Sequence, residues 1–405
     1  MRRRPALASL PVTRLPFLEA LRGIAALYVV LGHICTLADP RRLLGMTDHA
    51  PIWLQTVMRP FAFGHLAVAA FIVISGYCLQ LSLFSRADGT IGNLGNFYRR
   101  RALRILPAYY ACLAFSLIVC VTVTGAHPEL SRFLPVNTGT VLSHLFMVHN
   151  FSEEWMYKLN GVLWSIAIEA QLYVLFPLLV LSFTRFGRWT TLAGASGLAL
   201  VAMKFVPHAP KLYPWFLALF VLGMLAAHLA YRPSLKLGSR PILGWIAFLG
   251  GAAATVWSVT HGDVLAWGDA AIAVTVAALC FVLTTSEQGA LISLVSRPKL
   301  VALGGFSYSL YLMHHPILQV VYGLRPTGIT GETAIFFYLL AAGLPVVLFG
   351  TWLFSLYFER PFMPQRAVTR HELHPGLVPI RLPLKTYHPS RLELAARREA
   401  EPAVA

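Results

Sequence analysis

Charge is scarce in this chain. Only 12% of its 405 residues are Asp, Glu, Lys or Arg, roughly half the share found in a soluble domain. Yet 57% are hydrophobic. That balance excludes a water-soluble globule, which would need far more polar surface. Acids are scarcer than bases: 17 Asp and Glu stand against 33 Lys and Arg, a net charge of +16. Such an excess can serve nucleic acid, but integral membrane chains also concentrate bases in their cytoplasmic loops. Paired thiols are absent. Cys35, Cys78, Cys112, Cys120 and Cys280 form no C-x-x-C unit, so no metal site is expected. The cysteines read as small buried hydrophobes. No internal repeat and no soluble second domain are visible.

What is abundant is apolar sequence in blocks of about 20 residues, the length that crosses a bilayer as helix. Ten spans are expected, at 17–38, 61–84, 105–124, 161–183, 189–206, 212–230, 242–259, 265–284, 300–323 and 333–358. This predicts an all-α polytopic membrane protein with both termini on one side. Of the 33 Lys and Arg, 25 fall on the side of the termini and 8 on the other. The positive-inside rule then makes N and C termini cytoplasmic, in a multi-pass protein of the plasma membrane. Residues 1–16 read as an uncleaved basic cytoplasmic end, 17–358 as the transmembrane domain, and 359–405 as a polar cytoplasmic tail. The longest outer loop, about 125–160, carries "VLSHLFMVHNF". That patch is too short to span and reads as interfacial or re-entrant.

Ionisable groups inside spans are costly and mark functional candidates. In "FLEALRGIAALYVVLGH", Arg22 and His33 are eleven residues apart. They share a helix face about 16 Å apart along the axis. Arg22 lies near the cytoplasmic surface and His33 deep, toward the outer half. Histidine exchanges protons near neutral pH. In "FYRRRALRILPAYY", Arg99 and Arg100 suit a topology anchor, whereas Arg101 and Arg104 share one helical face. Arginine matches phosphate bidentately, so a phosphate-bearing donor from the cytoplasm would suit this cluster.

In "LWSIAIEAQLYVLFPLL", Glu169 sits about 12 Å into its span, with Ser165 one turn earlier. It reads equally as a structural partner and as a catalytic group. In "GGFSYSLYLMHHPILQ", Ser307, Tyr311 and His314 form one polar stripe, flanked by Tyr308. His314 is about 21 Å in and His33 about 24 Å in, so two spans carry histidines at similar depth. Pro316 is expected to free a backbone carbonyl beside them. His65 is a weaker candidate. Ser75 and Gly76, in "FIVISGYCL", also read as small residues that let helices approach.

These stretches together resemble the acyltransferase 3 family of multi-span membrane O-acyltransferases, over about residues 14–360. The matching elements are Arg22 with His33 ten residues beyond, Ser75-Gly76-Tyr77, the R-x-x-R of Arg101 and Arg104, "WSIAIE" ending in Glu169, and Ser307 through His314. The resemblance implies transfer of an acyl group, usually acetyl, to a hydroxyl. Acceptors in the family include surface polysaccharide, lipopolysaccharide O-antigen, peptidoglycan, nodulation signals and macrolides. Some members carry an added extracytoplasmic hydrolase-like domain. About 45 residues follow the tenth expected span, which suggests direct transfer or a separate partner.

The expected chemistry follows. Acetyl-CoA or another acyl-CoA is the donor substrate, with no permanently bound cofactor. Arg101, Arg104 and Arg22 hold its phosphates on the cytoplasmic side. His33 takes the proton of an acceptor hydroxyl or carries the acyl group transiently. Tyr311 or His314 stabilises the oxyanion, and Glu169 orients His33. The expected partners are acyl-CoA, a hydroxyl-bearing sugar or glycosylated natural product, and the lipid bilayer, with no nucleic acid. The alternative is a proton-coupled transporter, since buried His, Glu and Arg also form proton relays. A transporter needs no phosphate clamp, and no two-half symmetry of broken spans is visible.

Overall fold

The computed structural model describes residues 15–39, 50–84, 90–231, 241–262, 265–285 and 289–363. The basic end before Leu15 and the tail after Met363 lie outside the described residues. So do several of the loop arginines counted above.

Among the described residues the structure is helical, without a strand. The first half runs α1 (Pro16–Ala38), α2 (Ile52–Met58), α3 (Gly64–Phe84), α4 (Leu94–Thr122), α5 (Thr138–Leu145), α6 (Leu163–Arg185), α7 (Arg188–Phe205) and α8 (Ala209–Leu212). The second half runs α9 (Phe216–Tyr231), α10 (Pro241–His261), α11 (Ala266–Thr285), α12 (Ala290–Val295), α13 (Pro298–Gly304), α14 (Ser307–Gly323), α15 (Glu332–Tyr338) and α16 (Leu344–Phe358).

Among the described residues, seven helical stretches are long and apolar enough to cross a membrane: Pro16–Ala38, Ile52–Phe84, Leu94–Ala126, Leu163–Arg185, Pro241–His261, Ala266–Thr285 and Glu332–Phe362. The protein is a multi-pass, all-α membrane protein. Helices also stand at the other three expected spans. There α7 has 18 residues, α9 has 16 and α14 has 17. The expected ninth span, 300–323, is two helices, because the chain breaks at Gly305 and Phe306 between α13 and α14. The tenth is continuous but contains a π turn at Leu339–Gly343.

Close backbone approach fixes the inner helices. α1 packs against α3, α13 and α14, and α3 packs against α9 and α11. A Cβ on Gly304 would lie 1.9 Å from the Glu19 carbonyl oxygen, and one on Gly23 would lie 2.7 Å from the Gly304 nitrogen. The α1–α13 crossing therefore admits only glycine. Gly76 and Gly223 do the same for α3 and α9, with Cβ positions 2.1 and 2.0 Å from the Phe220 and Val73 carbonyl oxygens. Apolar side chains face lipid as readily as one another, so contact of this kind, rather than water exclusion, holds such helices together.

A backbone group freed inside the bundle needs a partner from the protein, since the medium there holds no water. Pro316 has no N–H, so the Leu312 carbonyl loses its helical partner. Asn160 Nδ2 and Cys112 Sγ donate to that oxygen instead, at 3.1 and 3.2 Å. Asn160 is fully buried, so a loop side chain repairs the helix beside the paired histidines.

Candidate active site

A small cavity of about 30 Å³ opens between α1, α3, α6 and α14. Its polar lining is Arg22, Ser165, Glu169, Ser307, Tyr308 and Tyr311, with Val68, Phe71, Ile72 and Ile166 between them. The polar residues of three separate sequence stretches, on α1, α6 and α14, thus converge on one space.

The α14 stripe is arranged as its spacing suggested. Ser307 and Tyr311 line the cavity and His314 follows one turn on. Tyr311 Oη lies 2.6 Å from Ser165 Oγ. Ser165 itself donates to the Val162 carbonyl at 3.0 Å, so its oxygen is left to accept the Tyr311 proton. Phe71 packs edge-on against the Tyr311 ring, 5.5 Å between centroids.

His33 of α1 and His314 of α14 meet, Nδ1 to Nε2, at 2.9 Å. The protonation pattern follows from the partners. His314 Nδ1 lies 2.9 Å from the Leu310 carbonyl oxygen, which can only accept. That nitrogen therefore carries hydrogen, and in a neutral ring Nε2 is an acceptor. His33 Nδ1 must then donate, which leaves His33 Nε2 with a lone pair. His315, which sequence reasoning passed over, completes the group. Its ring stands edge-on to His33 at 4.9 Å and to Phe133 at 4.7 Å. Gln319 Nε2 donates to its Nδ1 at 3.3 Å. The only sequence sign was the doubled histidine of "LMHHP", because neighbours on a helix point in different directions. Among the described residues no cluster of His, Cys, Asp and Glu could hold a metal.

Glu169 has its own partners. Ser75 Oγ donates to it at 2.5 Å, and the Tyr173 hydroxyl donates to the same oxygen. The contact that orients His33 comes from His314 rather than from Glu169. Gly76, next to Ser75, makes the helix approach described above. Ser75 itself serves the carboxylate.

The Arg101 guanidinium lies over the Tyr173 ring, 5.7 Å from its centroid, and its Nε is buried without a hydrogen-bond partner. Arg104 is half-buried and its Nη1 reaches Met363 Sδ at 4.0 Å. Arg99 and Arg100 are exposed. One run of arginines is therefore split into two outward and two inward members. Arg101, Tyr173, Glu169 and the cavity form one continuous path, and Tyr311 and His314 extend it to His33. Outside this group, His65 faces the buried Asp269 at 3.8 Å, and Trp215 donates to that carboxylate at 2.9 Å.

The loop before α6 holds a second histidine group. His144 and His149 are fully buried and stacked, with centroids 3.8 Å apart and planes 8° from parallel. Burial drives His144 down to about 4 and His149 down to about 3 from the usual value near 6.5, and the His144 charge adds to the effect on His149. Leu145, Phe146 and Phe151 around them are exposed, and the helix that carries His144, α5, has only 8 residues.

The family model for the acyltransferase domain of acyltransferase 3 proteins matches residues 15–357. A protein of Staphylococcus aureus (strain COL), named as a candidate O-acetyltransferase, is 24% identical over 381 residues, covering 86% of this chain and 57% of that protein. The peptidoglycan O-acetyltransferase OatA of Listeria monocytogenes is 25% identical over 306 residues, 64% of this chain and 45% of its own length. The O-acetyltransferase OatA of Staphylococcus aureus (strain NCTC 8325) is 27% identical over 180 residues, 41% of this chain and 24% of its own. This chain thus spans about half the length, or less, of these relatives. No solved structure matches. With a family match running from the start of α1 to the end of α16, the chain belongs to the acyltransferase 3 family.

Proposed function

We propose that the protein is a membrane O-acetyltransferase. It moves an acetyl group from acetyl-CoA to a hydroxyl of a carbohydrate or glycosylated natural product. The observation that carries this reading is the His33–His314 hydrogen bond of 2.9 Å, which gives His33 a proton-free Nε2 and joins it, through His314 and Tyr311, to a polar cavity. The relatives named as O-acetyltransferases, one of them acting on peptidoglycan, support the reaction class and a sugar acceptor.

Arg101, Arg104 and Arg22 bind the donor phosphates, as inward-turned guanidinium groups are suited to do. The donor's uncharged arm runs along the cavity toward His33, about 16 Å from Arg22 along the helix. His33 Nε2 accepts the proton of the acceptor hydroxyl as its oxygen attacks the thioester carbonyl carbon. The carbon–sulfur bond breaks, and the thiolate takes the proton back from His33. His314 holds the His33 ring in the working tautomer and accepts its other N–H throughout. Tyr311 serves the developing oxyanion by turning its hydroxyl away from Ser165. Glu169 keeps Tyr173 and Ser75 in place, and Tyr173 in turn seats Arg101.

The excess of bases on the terminal side favours cytoplasmic ends and ten crossings in the plasma membrane, with α7, α9 and α14 as the shorter ones. The donor then enters from the cytoplasm, and the loop carrying α5 faces the other side.

The test is transfer of labelled acetyl from acetyl-CoA in washed membranes, with His33→Ala alongside wild type. Acceptors are peptidoglycan, a polysaccharide extract and a macrolide panel. Label that reaches an acceptor only with wild type supports the reading. Membranes in which wild type neither binds acetyl-CoA nor consumes it overturn it.

A further inference from the structure

Glu359 is a carboxylate with an unusual task. It follows α16 directly, is 4% exposed, and among the described residues forms no ion pair. Instead its Oε2 accepts from both the backbone nitrogen and the hydroxyl of Ser309, at 3.1 and 2.6 Å. Ser309 lies in the first turn of α14, where backbone N–H groups have no helical partner. The residue before that helix, Phe306, provides no capping side chain. A carboxylate from a different helix therefore does the capping, and the partial positive charge of the helix end favours it there.

The contact belongs to a closed ring. Next to Ser309, the Tyr308 hydroxyl donates to the Ile105 carbonyl of α4 at 3.1 Å. Ile105 adjoins Arg104, and Arg104 reaches Met363, four residues beyond Glu359. The ring thus runs from α16 to α14, to α4, and back to the chain after α16. It ties the helix carrying Tyr311 and His314 to the helix carrying Arg101 and Arg104. Among the described residues Glu359 does this without a close ion pair to either arginine.

We propose that Glu359 is a positioning residue. It holds the start of α14 in register with the arginine-bearing turn of α4, so that the donor's phosphate end and its reacting end are served at a fixed separation. The inference rests on the donor role proposed above for those arginines.

The experiment compares Glu359→Ala, Glu359→Gln and Ser309→Ala with wild type in full-length protein in detergent. It reads hydrogen exchange of the α14 first turn, and kcat and KM for acetyl-CoA. Glu359→Ala is expected to speed that exchange about tenfold or more, to lower kcat about tenfold, and to raise KM. Glu359→Gln keeps an oxygen for both Ser309 donors and is expected to stay within about threefold of wild type. Ser309→Ala, which removes only the hydroxyl bond, is expected to fall between them and remains informative if Glu359→Ala does not fold. Unchanged exchange in Glu359→Ala overturns the proposal. So does wild-type kcat and KM in that variant, or a glutamine variant as impaired as the alanine one. Faster exchange in an otherwise inactive wild-type background would support the cap and fail only the acetyl-transfer reading.

Discussion

Two groups of buried histidines occupy this molecule, and they differ in everything but burial. His144, on α5, and His149, just after it, lie face to face in the long connection before α6. Both nitrogens of His149 and Nε2 of His144 lack a hydrogen-bond partner. His33, His314 and His315 come from two helices far apart in sequence; a directed hydrogen bond joins His33 to His314, His315 stands edge-on to His33, and the group leads through Tyr311 to a polar cavity. In the first group the rings stack on each other, and His144 Nδ1 donates to the Thr140 carbonyl at 2.8 Å. The second has defined donor and acceptor atoms and somewhere for a substrate to be. Burial of a titratable ring is thus a poor sign of chemistry unless partners and space accompany it.

The contrast can be broken most sharply at His33. His33→Ala is expected to lower acetyl transfer about a thousandfold, the scale of a lost general base, with folding retained by thermal melting in detergent. If transfer persisted near the wild-type rate, the proton acceptor would lie elsewhere. Next in size is His314→Phe, which keeps the ring volume but removes the acceptor for His33 Nδ1–H. A fall in kcat of about a hundredfold is expected, with the acetyl-CoA KM little changed.

Stability should separate the groups in the opposite sense. His144 and His149 titrate at about 4 and about 3 when folded, against 6.5 when unfolded. Below about 6.5 the unfolded chain binds more protons, so stability falls as pH falls, by about 2 kcal/mol per histidine at pH 5. His149→Phe is expected to reduce the loss of melting temperature between pH 7 and pH 5. The smallest effect should be that of the same variant on acetyl transfer at neutral pH: less than about twofold, since a stacked phenyl ring preserves the packing. A large loss there would make the loop pair part of the reaction.

Much of this arrangement could be read from sequence. Apolar block length located the membrane helices, and helical rise put His33 and His314 at matching depth, where they do meet. Spacing by three and four put Ser307 and Tyr311 on the cavity, and separated Arg101 and Arg104 from their exposed neighbours. What could not be read was lateral. A helix apolar on all sides carries no stripe to say which neighbour it faces, so Glu169 stayed open between a structural and a catalytic role, and its contact with Ser75 of α3 was not foreseen. Tyr173 and Ser75 are its hydrogen-bond partners. Asn160, His315 and Glu359 escaped notice for a related reason. Each touches residues of another element, and nothing in its own local sequence signals those contacts.

The glycine crossings have a mechanical consequence. Where a carbonyl oxygen sits within 2.1 Å of the place a Cβ would occupy, two helices cannot slide or rotate against each other without steric collision. α1 with α13, and α3 with α9, are therefore coupled as rigid pairs. α6 contains no glycine, and it meets the cavity through Ser165 and Glu169, whose hydroxyl and carboxylate bonds can be exchanged for bonds to a visitor. The bundle is thus stiffest where α1 meets α13 and where α3 meets α9, while α6 is held at the cavity by side-chain hydrogen bonds instead.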